Sequence, residues 1–210
     1  DANGKYEYQI DSLSNEFKLN ILEHQPGTKL VYNSKKLKLN AGASFGITDF
    51  NLTDMTMSKD YNRDYINFYP SANLTYTYKS NQNIRINYNG RSNQPSINEL
   101  QPLRNNDTYF YQVLGNPDLK PSFTNSLDVF NNTYNFISGF WSYQSIGFSF
   151  TNNQIVSNRV TDLESGKTVS RPENLDGNFS LYLNSYFSFK MKKADLQIGF
   201  GPGFSVFKNP

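Results

Sequence analysis

Alternation of apolar and polar residues is the dominant pattern along this chain. Between residues 36 and 48, every second position is apolar, and the positions between them are small or polar. A period of two predicts a β-strand with one apolar face and one polar face. The pattern recurs over residues 64–78, 83–92, 177–190 and 194–207, and more weakly over 16–23, 28–33, 121–136 and 140–152. It predicts nine strands, or ten if residues 5–10 are included, and no helix of ten residues.

The length of these strands narrows the fold class. Several span 13 to 15 residues, whereas strands of globular sheets usually have about five or six. Soluble β-sandwiches connect their short strands every ~8–12 residues, but a tilted strand that crosses a bilayer needs about ten residues. We therefore predict an all-β fold, an antiparallel up-and-down meander of about 9–10 long strands that is part of a transmembrane β-barrel. The predicted domain covers residues 1–210 and is a partial outer-membrane β-barrel domain.

The connections between the predicted strands differ in length in a regular way. Short turns are predicted at residues 33–36, 79–82, 137–139 and 190–193, and long loops at 49–63, 93–120 and 153–173. Short and long connections alternate along a meander, so the short turns lie at one end of the sheet and the long loops at the other. Outer-membrane barrels have short periplasmic turns and long extracellular loops. Residues 24–27, read as a short turn at the long-loop end, are the one exception.

The two faces of the strands have different predicted environments. The polar positions are predicted to line a lumen, and the apolar positions to face lipid. Alternate glycines fit an inward face that must stay uncrowded. Aromatic residues near strand ends are predicted to form an interfacial girdle; they are Tyr76, Tyr78, Phe130, Tyr134, Phe136, Phe140, Trp141 and Tyr143.

Composition excludes several kinds of chemistry. The chain has no cysteine and one histidine, His24, so thiolate catalysis and a Cys/His zinc site are not available within it. Its formal charge of +2 and the lack of a long basic run argue against nucleic-acid binding. The sequence contains no run of 18 apolar residues, so it predicts no transmembrane helix. The carboxylates show no spacing that indicates a catalytic pair, so we predict no enzyme activity, no cofactor and no metal site.

Two motifs around the second long loop carry a resemblance to a known family. Residues 94–102 read QPSINELQP after a strand, and residues 115–121 read GNPDLKP before the next. These motifs resemble the β-barrel of TonB-dependent outer-membrane receptors, especially the Asn- and Tyr-rich barrels of Bacteroidota. The rest of the resemblance lies in the strand rhythm along the chain. It implies localisation in the Gram-negative cell outer membrane and uptake of a nutrient ligand.

The resemblance also implies partners that this chain does not contain. Receptors of this family have more strands than are predicted here, together with a plug domain, so the chain resembles an interior portion of such a barrel. The implied partners are outer-membrane lipid, the rest of the barrel, the plug domain, TonB-type energy coupling through parts outside the chain, and a possible surface lipoprotein.

The second long loop contains the predicted ligand-binding residues. Aromatic faces and hydrogen-bonding groups alternate there, which suits a sugar or a small peptide. The residues are Arg104, Asn105, Asp107, Tyr109, Phe110 and Tyr111. The alternative for residues 109–111 is a short strand that lengthens the barrel above the membrane.

Two other function classes remain open from the sequence. One is a soluble, secreted β-sandwich or β-barrel that binds carbohydrate through exposed tyrosines and Trp141. The other is a surface adhesin or structural β-protein without a small ligand. Detergent dependence separates the receptor from both, because only the receptor needs an apolar band in lipid.

Overall fold

The computed structural model describes residues 16–56, 58–101, 104–108, 110–191 and 193–209, with the backbone alone described for 104–108. The strands are β1 Phe17–His24, β2 Gly27–Asn33, β3 Leu37–Asp54, β4 Lys59–Lys79, β5 Gln82–Asn93, β6 Arg104–Thr108, β7 Tyr111–Leu114, β8 Ser122–Asn135, β9 Phe140–Asn152, β10 Gln154–Thr161, β11 Thr168–Leu175, β12 Asn178–Met191, β13 Leu196–Phe200 and β14 Gly203–Lys208. One short helix, α1, covers Ile97–Leu100. Within the described ranges, no helix is long and apolar enough to cross a membrane.

Ten strands form the main sheet. Their order is β1–β3–β4–β5–β8–β9–β12–β13, with β2 also paired to β3 and β14 to β12. Every pairing within this sheet is antiparallel. The predicted all-β antiparallel meander of nine or ten strands is therefore confirmed.

The predicted turn at residues 24–27 is wrong. His24 pairs with Ile47 and Gly27 pairs with Ser44, so β1 and β2 follow β3 in one continuous register. Pro26 has no N–H and costs the ladder one bond, but its carbonyl still accepts a hydrogen bond from the Phe45 amide at 2.9 Å. Pairing on both sides keeps a Gln-Pro-Gly sequence extended although it is locally a turn signal. Residues 24–27 are therefore not a connection between neighbouring strands.

The opposite edge of the sheet repeats this arrangement. β13 and β14 lie along β12 in one register, with the Pro202 carbonyl accepting a hydrogen bond from the Ser185 amide at 2.9 Å. The ten strands therefore occupy eight positions across the sheet. Among the described residues, no pairing joins the first position to the last, so the sheet is an open arc.

Register separates two faces across the eight positions. One cross-strand row is apolar throughout and contains Tyr32, Leu39, Leu74, Ile86, Val129, Ile146, Leu183 and Phe204. The neighbouring row on the other face is mainly polar and contains Val31, Asn40, Asn73, Asn87, Asp128, Gly147, Tyr182 and Ser205. We call these the lipid face and the lumen face, and the sheet that carries them the wall.

The strand-end aromatics do not form a single girdle. Phe130 pairs with Arg85, Tyr143 with Asn132, and Trp141 with Tyr134, which places four of the eight predicted residues on the lumen face. Tyr76 and Phe140 lie on the lipid face by their pairing with Ile84 and Asn135. The prediction was wrong for the first group because a strand end does not determine a face, whereas parity within the strand does.

The predicted loop over residues 49–63 is largely strand. β3 and β4 stay paired as far as Asp54 and Lys59, and only a tight turn with Ser58 at φ 51° separates them. Above Ile47 the apolar residues Phe50 and Leu52 fall on the parity of the lumen face. Apolar and polar residues still alternate above Ile47, but the apolar residues now lie on the lumen face. The pattern of residues 36–48 therefore does not continue to the end of β3.

The other two long connections contain a second sheet. Its order is β10–β11–β7–β6, and β11 runs parallel to β7 while the other pairs are antiparallel. Together with α1 and the upper ends of β1, β3 and β4, these connections form a unit that we call the cap. Its core is Phe50, Leu52, Leu100 and Leu119, against which Phe17, Leu19, Tyr61, Tyr65 and Ile155 pack.

Candidate functional site

A polar cavity of about 580 Å³ lies where the lumen face meets the cap. Its lining contains no aromatic residue, and Ile155 is the single apolar one. Cavities of this size are typical of small-molecule sites, although those are usually more apolar. The lining residues are Arg91, Ser92, Asn93, Glu99, Ser122, Thr124, Thr151, Gln154, Ile155 and Asn178.

Strands β5, β8, β9, β10 and β12 and the short helix carry this lining. β5 and β8 place Arg91 opposite Thr124, and the Thr124 and Thr151 hydroxyls are 2.9 Å apart across β8 and β9. Helix α1 starts with a capping box, in which the Glu99 Oε2 atom accepts hydrogen bonds from the Ser96 amide and hydroxyl, both at 2.7 Å. One carboxylate oxygen of Glu99 is therefore engaged in holding the helix.

Buried polar atoms without a protein partner gather around this cavity. Among the described residues, the Gln154 side-chain oxygen is buried and makes no hydrogen bond, and Gln154 lines the cavity. Both polar ends of the Gln94 amide, next in the chain to Asn93, are in the same condition. Buried polar groups in folded proteins are nearly always hydrogen-bonded. This arrangement therefore offers unused donors and acceptors to a polar ligand.

Arg91 brings a charged group to the same place. Within the part of the chain that the structure describes, its guanidinium makes no ion pair; the two ion pairs found there are Arg63–Asp118 and Lys190–Asp195. Arginine presents several donors in a fixed plane, which suits carboxylate, phosphate or vicinal hydroxyl groups. The cavity thus offers one cation, one partly engaged carboxylate and a set of neutral hydroxyls and amides.

The GNPDLKP segment at residues 115–121 holds the cap together. The Asn116 amide donates to the Glu99 carbonyl at 2.7 Å, and the Asn116 Nδ2 atom donates to the Pro172 carbonyl at 2.9 Å. Its Oδ1 atom accepts from the Asp118 amide at 3.0 Å and from Arg171 at 3.1 Å. One buried residue therefore joins α1 through its backbone amide, and the segment itself and β11 through its side chain.

Two further contacts complete this connection. Asn174 exchanges hydrogen bonds with the backbone of Lys120 at 2.8 and 2.9 Å, and donates to the Asn153 carbonyl at 2.8 Å. Arg63 on β4 pairs with Asp118 at 2.7 Å. The two long connections and the upper end of β4 thus form one hydrogen-bonded unit over the cavity.

The residues predicted to bind ligand lie elsewhere in the cap. The backbone of Arg104, Asn105 and Asp107 belongs to β6, which pairs with β7, and Tyr109 lies outside the described residues. Phe110 is 60% exposed at the tip of this hairpin, and Tyr111 starts β7. Neither of these two side chains lines the cavity. Tyr111 lies in a short strand, but that strand belongs to the second sheet and does not lengthen the strands of the wall, as the alternative prediction required.

Sequence reasoning missed the residues that line the cavity. Arg91 lies on the polar parity of a predicted strand, which is a signal available from the sequence. Glu99 follows it by eight residues on α1, and Gln154 lies 63 residues after it on β10, so both meet it only through the fold of the cap. No signal in the sequence brings those three together.

The other polar candidates have structural positions. Asp162 lies in the turn between β10 and β11, where the Ser165 hydroxyl donates to it at 2.6 Å, as expected for a hairpin tip. That bond and the Glu164 amide hold the pKa of Asp162 below its ordinary value. Asp128 accepts a hydrogen bond from the Tyr182 hydroxyl at 2.6 Å on the lumen face. Among the described residues, no group of three His, Asp or Glu side chains is placed to hold a metal ion.

Comparison with known proteins agrees with this architecture. A family model described as the outer membrane protein beta-barrel family matches residues 1–205, and no curated protein matches the chain. Among solved structures, the siderophore receptor PirA from Pseudomonas aeruginosa superposes with a TM-score of 0.55 at 11% identity, over 92% of this chain and 44% of PirA.

Two further solved structures share the fold. The copper transporter OprC gives a TM-score of 0.60 at 13% identity over 91% of this chain and 30% of OprC. The FrpB iron transporter from Neisseria meningitidis gives 0.53 at 11% identity over 93% of this chain and 27% of FrpB. The chain thus spans less than half the length of each of these three proteins. The predicted resemblance to receptor barrels is confirmed for the fold.

Proposed function

Because the chain belongs to the outer membrane protein β-barrel family, we propose that it forms part of the wall and ligand-binding rim of an outer-membrane receptor that takes up a nutrient. Its place in the outer membrane decides against the soluble, secreted β-sandwich. In this proposal the short turns are periplasmic, the cap is extracellular, and ligand enters the lumen below the cap. Siderophore, copper and iron are named for the proteins of similar fold, whereas the chemistry of this chain's ligand follows from the lining of its own cavity.

One observation carries the proposal. The cavity between lumen face and cap offers hydrogen-bonding groups to a ligand, with the buried, unpartnered Gln154 oxygen and the Arg91 guanidinium in its lining. The lining lacks an aromatic face, so recognition there uses hydrogen bonds and charge rather than ring stacking. A hydrophilic solute with several donors and acceptors fits this chemistry. Arg104, Asn105, Asp107, Tyr109, Phe110 and Tyr111 are then proposed as outer contacts, met before the cavity.

The edges of the wall support the proposed partners. Strands at residues 17–33 and 196–208 each pair on one side only within the described part of the chain. Open sheet edges are not stable in a bilayer, because unpaired backbone groups have no water to bind. We assign the rest of the barrel to these edges. A plug domain in the lumen, TonB-type energy coupling through other parts of the protein and a surface lipoprotein at the cap remain proposals.

A binding screen with cavity variants tests the function. The whole protein in detergent is screened by saturation-transfer NMR against oligosaccharides and short peptides, and each binder is measured again with Gln154→Ala and Arg91→Gln. Removal of a hydrogen bond to a buried group costs about 1–3 kcal/mol, so binding weakens about 5- to 150-fold. Asn87→Ala, lower on the same face of β5, is the matched control and leaves binding unchanged. The proposal is contradicted if no compound binds, or if the affinity of every binder is unchanged by both Gln154→Ala and Arg91→Gln.

A further inference from the structure

An apolar notch opens on the lipid face at the long-loop end of the wall. It has a volume of about 440 Å³ and is lined by Phe148, Phe150, Thr151, Asn152, Gly177, Asn178 and Phe179. Phe148 and Phe150 contact each other on β9, with ring centroids 6.0 Å apart. Phe150 lies directly opposite Phe179 of β12. Three phenyl rings therefore form the apolar lining, and polar residues form the rim.

A lysine ends the same cross-strand row. Phe179 pairs with Phe150 on one side and with Lys208 of β14 on the other, so all three side chains share the lipid face. Lys208 is exposed, and it makes no ion pair within the part of the chain that the structure describes. A free cation thus stands beside an apolar notch on a surface that faces lipid.

The height of the notch is that of the membrane boundary. Phe150 is ten residues from the start of β9 at the short-turn end, which at about 3.3 Å per residue is about 33 Å along the strand. With the usual tilt of barrel strands, this corresponds to about the 25 Å height of the apolar band. The notch therefore lies where acyl chains meet headgroups at the long-loop end.

The backbone on both sides of the notch is fixed. The Asp176 carboxylate accepts a hydrogen bond from the Asn153 amide at 2.7 Å, which ties the end of β9 to the start of β12. Gly177 has φ 101° and open space where a Cβ would lie, so the glycine keeps this side of the notch clear. The notch is therefore bordered by a hydrogen-bonded connection between β9 and β12.

We propose that this notch binds an anionic lipid of the membrane leaflet at the long-loop end. One acyl chain packs against Phe148, Phe150 and Phe179, and the phosphate of the headgroup meets the Lys208 ammonium. The notch continues the apolar surface that already faces lipid, and Lys208 complements a negative headgroup. Asn152, on the lipid-face parity of β9 at the rim, is placed to hydrogen-bond the polar part of the lipid. This proposal rests on the wall lying in the outer membrane and not on the ligand of the cavity.

Tryptophan quenching by brominated lipids tests this assignment. The chain has one tryptophan, so Trp141→Phe gives a background in which Phe179→Trp is the only reporter. The whole protein is reconstituted in phosphatidylcholine vesicles with a minor fraction of phosphatidylglycerol, with bromine on the acyl chains of one lipid or of the other. One lysine near a membrane surface favours an anionic lipid by about fivefold, so quenching per brominated phosphatidylglycerol exceeds that per brominated phosphatidylcholine by about this factor.

Two controls make the result specific. Phe68→Trp lies on the lipid face in a row with Phe45 and Pro26, without a lysine, and shows no preference between the two lipids. Lys208→Gln in the Phe179→Trp protein removes the preference while quenching itself remains. Phe150→Trp replaces Phe179→Trp as the reporter if that variant does not insert. Equal quenching by both lipids at the notch overturns the headgroup assignment, and the absence of quenching overturns the acyl-chain assignment.

Discussion

Buried apolar residues hold the cap, whereas the apolar residues of the wall stay partly exposed along every strand. Leu52 and Leu100 in the cap are fully buried, with 0% of their surface exposed. Leu183 and Phe204 in the wall are 41% and 59% exposed in the isolated chain. The cap has a core of its own, and the wall is a single sheet whose apolar face is left to the bilayer.

Strands with alternating apolar and polar residues therefore serve two purposes in this chain, facing lipid in the wall and covering a core in the cap. In the wall, the apolar parity faces outward and is stabilised by lipid and by the backbone ladder. Above the membrane the sheet continues with apolar residues on the inward parity, where α1 and the GNPDLKP segment cover them. A substitution in the cap is therefore expected to act through packing, and one in the wall through lipid contact.

Leu100→Ala is expected to have the largest effect. Truncation of a fully buried leucine costs about 2–5 kcal/mol through lost burial and the cavity left behind. The substitution loosens α1 and with it the hydrogen bond from the Asn116 amide to Glu99. Hydrogen exchange of the Asn116 amide in the micelle-bound protein measures this local opening.

Leu74→Ala is the matched substitution in the wall. Leu74 belongs to the apolar row of the lipid face, where a leucine contributes less than about 1 kcal/mol to membrane insertion. We expect almost unchanged exchange at Asn116 and a small change in the stability of the wall. Equal effects of the two leucine variants on the cap would remove the distinction between cap and wall.

Gly115→Ala is expected to have the next largest effect. An added Cβ at Gly115 meets the Gln101 backbone carbonyl, which cannot move away as a flexible side chain can. Overpacking of this kind costs about 1–3 kcal/mol and is expected to displace the GNPDLKP segment from α1. Proteolysis of the cap in folded protein measures the displacement. Gly166→Asn at an open turn with φ 69° serves as control, because asparagine tolerates that backbone.

Asn116→Ala sharpens the comparison inside the cap. The side chain makes hydrogen bonds to Pro172, Asp118 and Arg171, and each such bond contributes about 0.5–1.5 kcal/mol. The loss is expected to raise hydrogen exchange in β11 and around α1 together. Asn158→Ala, which loses one exposed bond to Glu173, is expected to change only its own hairpin. A response of Asn116→Ala confined to one loop would contradict the single connected cap.

Asp162 gives the smallest predicted effect, at the outermost turn of the cap. Its folded-state pKa lies below the ordinary 3.8 because Ser165 and the Glu164 amide donate to the carboxylate. A depressed carboxyl pKa stabilises the turn above the unfolded pKa, and this stabilisation is lost as pH falls through the folded pKa. Carboxyl NMR titration is expected to show the low pKa, and Ser165→Ala is expected to raise it toward 3.8. An unchanged pKa in that variant rejects the hydroxyl as the cause.

The wall could be predicted from the sequence because its physics is local. Each strand in lipid must alternate apolar and polar residues, and the thickness of the bilayer sets its length. The sequence of residues 37–47 and 178–190 therefore predicts both the strand and the face on which each residue lies. The sequence predicted a turn at Pro26 because turn signals are local, within about four residues. The pairing with β3 that keeps this segment extended lies across the sheet and is not visible in that window. Sequence signals within a few residues predict strands better than they predict the cross-strand pairing that keeps a proline such as Pro26 extended.

The cap and its cavity could not be predicted in the same way. The GNPDLKP motif identified the fold family, but its structural role depends on Asn116 meeting Pro172 and Arg171, which are more than 50 positions away. The cavity likewise needs Arg91, Glu99 and Gln154 from three separate segments. Contacts of this range follow from how the loops fold over one another, and no periodic pattern encodes that.

The most direct test of the wall is a spin-label scan along β4 in membrane vesicles. The chain has no cysteine, so single cysteines at positions 71–76 carry the label without background. We expect a period of two: labels at Ala72, Leu74 and Tyr76 contact oxygen dissolved in lipid, and labels at Ser71, Asn73 and Thr75 contact a water-soluble nickel chelate instead. Accessibility that does not alternate, or that is reversed between Asn73 and Leu74, would contradict a barrel wall with these two faces.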